Sequence, residues 1–305
     1  MRLVRIGVVG LGKIAIDQHL PAIEANPHFT LAATVSRSTP TSGIHFASTA
    51  ELLATAGGLD AVAITTPPGP RYAIARDCIE AGLHVLLEKP PAATLAEIDD
   101  LRERASRCGV SLFTTWHAQH NPAVLAAAAL LAGKRVREMS IVWHEDVEKW
   151  HPGQRWIWEA GGFGVFDPGI NAFSIASMIF PDSLFVRTAD LIYPQGSDTP
   201  IAAEIAFVSP ASSGMLRCSL DWRRSAGEEW TIRLVTEDRV TIDLLGGGAR
   251  LLVDGVVQET GDAGEYPDIY RRFAELVEGC ESQVDSVPLR MVADCLLVGS
   301  RRSAD

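Results

Sequence analysis

Apolar residues change their spacing along this chain, and the change comes near residue 120. Before it, short unbroken apolar runs alternate with stretches in which apolar residues recur every three or four positions. The runs are Leu3–Val9, Leu31–Val35, Ala61–Thr65, His84–Leu87 and Ser111–Thr115. A run without polar alternation suits a strand covered on both faces, as in a parallel sheet. Pro70–Ala81 and Thr94–Cys108 carry the helical spacing, with Gly82 and Gly109 standing where helix stops belong. A strand–helix–strand rhythm of this kind predicts a doubly wound parallel sheet with its ligand at the strand carboxyl ends.

After residue 120 the pattern becomes alternating. A helix is predicted at Pro122–Gly133, then strands at Glu138–Trp143, Val186–Ile192, Ala203–Val208, Gly214–Trp222, Thr231–Val235 and Val240–Leu244. Alternation favours an antiparallel sheet with one face covered. A helix at Pro168–Phe180, stopped by Pro181, interrupts the strands, and two more at Tyr266–Gly279 and Leu289–Arg301 close the chain. The expectation is an α/β protein: a parallel, dinucleotide-type domain over residues 1–120, then an α+β domain over 121–305 built on an open, largely antiparallel sheet. The closing helices could pack back on the first domain. No internal repeat or low-complexity linker appears.

Composition narrows the partners. With 305 residues the chain can bury two cores. A net charge of −11 argues against nucleic acid and anionic membrane surfaces, which offer an acidic protein no counter-charge. The five cysteines show no CxxC pair and no framework spacing, so reduced thiols are expected. The N-terminus leads directly into a strand, leaving no room for a signal peptide, and the apolar stretch Ala123–Ala132 is too short to span a bilayer. The expected address is the cytoplasm.

Two motifs carry chemistry. Gly10-Leu11-Gly12-Lys13-Ile14-Ala15 follows a strand and opens a helix, the setting in which glycines admit a pyrophosphate to a helix N-terminus. That points to a Rossmann dinucleotide site. The second strand ends in Ser36-Arg37-Ser38, without the carboxylate that would hold a free ribose 2′-hydroxyl. An arginine between two hydroxyls suits a 2′-phosphate, so NADP is the expected cofactor, with NAD as the alternative. The second motif is Glu88-Lys89-Pro90, a lysine at the carboxyl end of an apolar strand, pinned by a proline.

With Gly10–Ala15, Thr65-Thr66-Pro67-Pro68, Ala81–Val85 and Glu88-Lys89-Pro90 in this order, the chain resembles the glucose–fructose oxidoreductase/inositol dehydrogenase (Gfo/Idh/MocA) family. The resemblance extends over the whole length, through Gly161–Asn171. It departs from the family pattern at Asn171 and Arg71, where histidine is usual. Asn171, with Trp150-His151-Pro152-Gly153 upstream, looks like the aldose 1-dehydrogenase branch, which oxidises L-arabinose or D-galactose at C1 to the lactone. The resemblance implies cofactor contacts from Gly10, Gly12, Lys13, Ile14, Ser36, Arg37, Thr66, Pro67, Glu88 and Lys89. It implies Lys89 as the group that meets the C1 oxygen. Asp167 is implied as the proton acceptor, although Asp-Pro before a helix is also what a cap looks like. Asn171 is implied as a neutral partner of a sugar hydroxyl.

Four of the seven tryptophans fall within Trp143–Trp158, beside Glu145 and His151. Sugar C–H faces stack on aromatic rings and sugar hydroxyls need acceptors, so Glu145, Trp150 and His151 are candidate substrate contacts, with His117 and Trp230 beside them. Trp156 and Trp158 are expected in the core, and His120 at the surface. His117-x-x-His120 and His144-Glu145 hold ligand-capable side chains but no three at a recognised metal spacing, so no metal is expected. The competing readings are oxidation of another polyol or sugar carbon, and a non-catalytic sensor that binds cofactor and sugar. The alternating Ala203–Val208 and Met215–Leu220 would fit either a homodimer through the second sheet or cover by the chain's own helices.

Overall fold

A computed structural model describes residues 3–37, 44–55, 57–225, 227–261 and 264–304. In chain order the first elements are β1 (Val4–Val9), α1 (Leu20–Ala25), β2 (Phe29–Val35), β3 (His45–Phe46), α2 (Thr49–Thr55), β4 (Ala61–Ile64), α3 (Pro68–Glu80), β5 (His84–Leu87), α4 (Leu95–Cys108) and β6 (Leu112–Thr114). There follow α5 (Pro122–Leu131), β7 (Val136–His144), α6 (Val147–Trp150), α7 (Phe166–Ile179), β8 (Phe185–Tyr193), β9 (Ala202–Ser209), β10 (Ser212–Asp221), β11 (Glu229–Thr236), β12 (Thr241–Leu245), β13 (Arg250–Val253) and β14 (Val256–Gln258). The chain ends with α8 (Glu265–Gly279), α9 (Val287–Val298) and β15 (Ser300–Ser303). Among the described residues no helix is long and apolar enough to cross a membrane.

The chain divides into two compact units, Met1–Trp116 with Glu265–Ser286, and His117–Gly264 with Val287–Asp305. The first holds a six-stranded sheet in the order β3-β2-β1-β4-β5-β6, parallel throughout. Every residue of β4 and the last three of β5 are buried, as a sheet covered on both faces requires. The strand order reverses between β1 and β4, the switch point at which such sheets take ligands. Local signals set the flanking helices. Thr94 and Glu97 form a reciprocal capping box at the start of α4, and Gly109 ends it in the left-handed region at φ 67°. The core joins Ile6, Val8, Ala63, Leu86 and Phe113 to Tyr266, Ile269, Tyr270 and Phe273 of α8.

The second unit holds a nine-stranded sheet, β14-β13-β12-β11-β7-β10-β9-β8-β15. Its pairs are antiparallel except β7 with β10 and β8 with β15. The apolar residues of β9 and β10 that alternate inward are buried, and α7 meets them, with Phe173 edge-on to Phe207 at 5.9 Å. The second unit's own helix thus accounts for that alternation. Two expected helices are revised. The helix expected over Leu289–Arg301 stops at Val298, because Gly299 breaks it and Ser300–Ser303 pair with Asp190–Tyr193 as β15. The helix expected from Pro168 begins two residues earlier, at Phe166.

Candidate active site

In the first unit, the loop after β1 is shaped for close approach. Gly10 has φ +100°, and a Cβ there would lie 2.9 Å from the Thr66 nitrogen. Only glycine allows the two loops after β1 and β4 to meet this way. At Gly12, by contrast, a Cβ would meet nothing within 4 Å. Lys13 and Ile14 open the helical segment, with Lys13 paired to Asp17 and Ile14 partly exposed. No side chain caps its first turn. The buried Thr66 hydroxyl has no hydrogen-bond partner among the described residues, and Pro67 beside it is exposed. An uncapped helix start, free space at Gly12 and an unsatisfied hydroxyl together fit a dinucleotide pyrophosphate. Ser36 and the exposed Arg37 follow β2, with no carboxylate between them and the strand; Ser38 lies outside the described residues.

Lys89 stands half-buried after β5, followed by a cis peptide to Pro90. Its neighbour Glu88 is 3% exposed and points into the unit rather than towards solvent. The Glu88 carboxylate accepts from Tyr266 Oη at 2.8 Å and from the Lys89 amide at 2.8 Å, and faces His19 Nε2 at 3.1 Å. Arg71, also buried, donates to the carbonyls of Thr66, Glu88 and Pro90, lacing together the loops after β4 and β5. This explains a buried arginine where histidine was the usual residue.

In the second unit, Asp167 is the second residue of α7, whose N-cap position is taken by Val165. Its carboxylate, 5% exposed, faces His151 Nε2 at 3.2 Å. The helix N-terminus adds a favourable field for the anion. Asn171, four residues on, shares that helix face. His151 packs its ring on Trp222 at 5.2 Å, and Trp158 lies against the same indole at 5.5 Å. Glu145 is 5% exposed and holds two indoles at once: Trp222 Nε1 donates to Oε1 at 2.8 Å and Trp230 Nε1 to Oε2 at 3.0 Å. Trp230 stacks on Trp143 at 6.0 Å and meets Trp150 at 5.9 Å. Trp150 is 41% exposed, with its indole donating to Glu228. Glu145, Trp150, His151, Asp167 and Trp230 therefore converge, an imidazole–carboxylate pair capable of proton transfer beside an aromatic wall.

His117 opens a short 3-10 turn, His117–His120, and both histidines are half-buried. Trp156 and Trp158, expected in the core, are half-buried; the turn Arg155–Trp158 turns Ile157 inward instead. Among the described residues no group of three or more His, Cys, Asp or Glu side chains could hold a metal ion.

The family model for an oxidoreductase family with an NAD-binding Rossmann fold, Gfo/Idh/MocA, matches residues 4–115. Galactose 1-dehydrogenase of Pseudomonas fluorescens is 44% identical over 309 aligned residues, which take in 100% of this chain and 99% of that protein. The chain belongs to the Gfo/Idh/MocA family. The crystal structure of D-galactose-1-dehydrogenase from Rhizobium etli superposes with a TM-score of 0.94 at 43% identity, covering 100% of this chain and 97% of that one. A 3-ketoreductase from Actinomadura kijaniata, solved with NADP, shares the fold at a TM-score of 0.83 and 17% identity, each chain covered in full. Against the Gfo/Idh/MocA pattern, Asn171 replaces the usual histidine, while His151 brings an imidazole to Asp167 from a different segment. Sequence reading missed Trp222, His19, Tyr266 and Tyr270. Nothing local marks them, because each acts on a partner far along the chain.

Proposed function

We propose that this oxidoreductase oxidises an aldopyranose of the D-galactose or L-arabinose type at C1, giving the aldonolactone, with NADP preferred over NAD. The observation that carries the reading is the pairing of His151 with Asp167, a buried carboxylate in the first turn of α7. The whole-length likeness to two galactose dehydrogenases supports it. Bound NADP supplies the hydride acceptor.

The chain's own residues do the rest. Gly10, Gly12, Lys13, Ile14, Thr66 and Pro67 seat the cofactor, and Ser36 and Arg37 hold its 2′-phosphate. Glu88 supports the cofactor side through the backbone of Lys89. Lys89 donates to the C1 oxygen and favours its developing negative charge. Asp167 takes the proton from the C1 hydroxyl, and His151 holds the carboxylate in place for it. Asn171 holds a neighbouring hydroxyl. Trp150 and Trp230 stack on the sugar with His117 beside them, and Glu145 sets the planes of Trp222 and Trp230 by its two bonds. The outer face of the second sheet is the proposed homodimer surface, and the cytoplasm, where all five free cysteines stay reduced, the proposed compartment.

The test is NADPH formation at 340 nm with L-arabinose, D-galactose, D-xylose, D-glucose and myo-inositol, each with NADP and with NAD. Turnover of L-arabinose or D-galactose to a lactone is the expected result. Turnover of myo-inositol alone would favour attack at another carbon. Cofactor binding without turnover of any of them would favour a sensor. In the same assay Arg37→Ala is expected to weaken NADP on the order of tenfold or more while leaving NAD nearly unchanged; equal weakening of both would remove the 2′-phosphate role.

A further inference from the structure

Four side chains of the first unit close a hydrogen-bonded set of which the reaction as described uses only Glu88. His19, on the wide helical turn Ala15–His19 just after the glycine loop, is fully buried. Its Nδ1 lies 2.8 Å from Tyr270 Oη and its Nε2 lies 3.1 Å from Glu88 Oε1. Tyr266 Oη donates to the same Oε1 at 2.8 Å, and the Lys89 amide donates to Oε2 at 2.8 Å. Both tyrosines come from α8, so three distant segments meet on one carboxylate.

The proton inventory is consistent. Burial, reinforced by the Glu88 charge, pushes both tyrosine hydroxyls well above their usual pKa, so both remain O–H donors. Facing a carboxylate, Nε2 carries a proton, and Nδ1 accepts from Tyr270; this tautomer is assigned from the network. Each donor then has one acceptor. A buried carboxylate does not improve stability over a well-packed apolar group, because its desolvation cost offsets its bonds. The effect of this one is felt one residue away. Its Oε2 holds the amide of Lys89, while Arg71 holds the carbonyls of Glu88 and Pro90 on either side.

We propose that His19 and Tyr266 are positioning residues that aim Lys89 through the Glu88 carboxylate, with Tyr270 acting through His19. The inference rests on the reading of Lys89 as the residue that meets the C1 oxygen. With a donor removed, the buried carboxylate turns to recover a bond, the Lys89 amide loses its acceptor, and the ammonium loses its aim. The glycine loop and Arg37 are untouched, so cofactor binding stays.

The experiment uses full-length enzyme with D-galactose and NADP, comparing Lys89→Met, Tyr266→Phe, His19→Leu and His19→Gln. Tm and NADP binding, followed by fluorescence, are measured on each variant. Tyr266→Phe and His19→Leu are expected to lower kcat about tenfold to a hundredfold, with the Kd for NADP within about twofold of the parent. His19→Gln keeps an N–H donor able to reach Glu88 and is expected to recover most of the lost kcat. If Lys89→Met abolishes turnover while Tyr266→Phe leaves kcat intact, the positioning role is overturned and the role of Lys89 stands. Retained turnover in Lys89→Met would overturn both. A joint fall of kcat, NADP affinity and Tm, with no recovery in His19→Gln, would make the network a structural element and overturn the proposal.

Discussion

Two demands compete for the carboxylate of Asp167: a helix start that could use a cap, and an imidazole that could use an acceptor. The structure sets it against the imidazole while it sits in the first turn of the helix. The backbone amides of Gly164 and Val165 are held by the carbonyls of Ile157 and Pro200, so α7 starts before Asp167, which sits in its first turn. Replacing the carboxylate by an amide keeps the shape but removes the proton acceptor. Asp167→Asn is therefore expected to lower kcat about 10²- to 10⁴-fold while NADP affinity stays nearly constant; parallel loss of both, with a lowered Tm, would mean the residue chiefly holds the fold. Local context made Lys89 and Glu145 legible as candidates, and the family resemblance did so for Asp167. Their partners were not legible. Glu145 meets indoles 77 and 85 positions later, and His19 meets a tyrosine 251 positions later. A one-dimensional pattern carries no record of such pairings.

Elements whose limits are written locally were read well from sequence. β5 spans the residues its apolar run predicts, and α4 begins at its capping box and ends at Gly109. Elements limited by distant contacts were misread, as α7 and the α9–β15 junction show. The segment 155–166 is of the second kind. Gly162 lies so near the turn Arg155–Trp158 that a Cβ would touch the carbonyl oxygen of Trp156 and come within 2.7 Å of that of Ile157. Those are backbone atoms and cannot rotate away. Gly162→Ala is expected to destabilise the protein by about 1–3 kcal/mol through overpacking. Because the same segment sets the start of α7, it should also lower kcat more than it weakens NADP binding. Thermal unfolding and steady-state kinetics on one preparation check both; an unchanged Tm would show that the segment yields freely.

The chain passes between its two units at residues 116–117, 264–265 and 286–287. The first unit is thus completed by α8, a helix drawn from near the chain's end, one of the closing helices that the sequence allowed to pack back on the first domain. Its six buried residues are Tyr266, Ile269, Tyr270, Phe273, Ala274 and Leu276. Full burial of Ile269, Phe273 and Leu276 alone is worth about 5–9 kcal/mol, comparable with the about 5–15 kcal/mol that holds a whole domain folded. A polypeptide of residues 1–120 is therefore expected to lack cooperative thermal unfolding and NADP binding. Joining residues 265–286 to it through a flexible linker should restore both, and a cooperative, cofactor-binding 1–120 fragment would contradict this account.

The placement of α8 also imposes an order of birth. On the ribosome the six strands of the parallel sheet emerge first, yet the helix that covers their core, Glu265–Gly279, follows about 150–160 residues behind Trp116. At about 5–20 residues per second, that leaves the nascent sheet without its cover for roughly 10–30 s. The part of the enzyme made first is thus among the last to be finished, and throughout that interval it is the natural client of a chaperone.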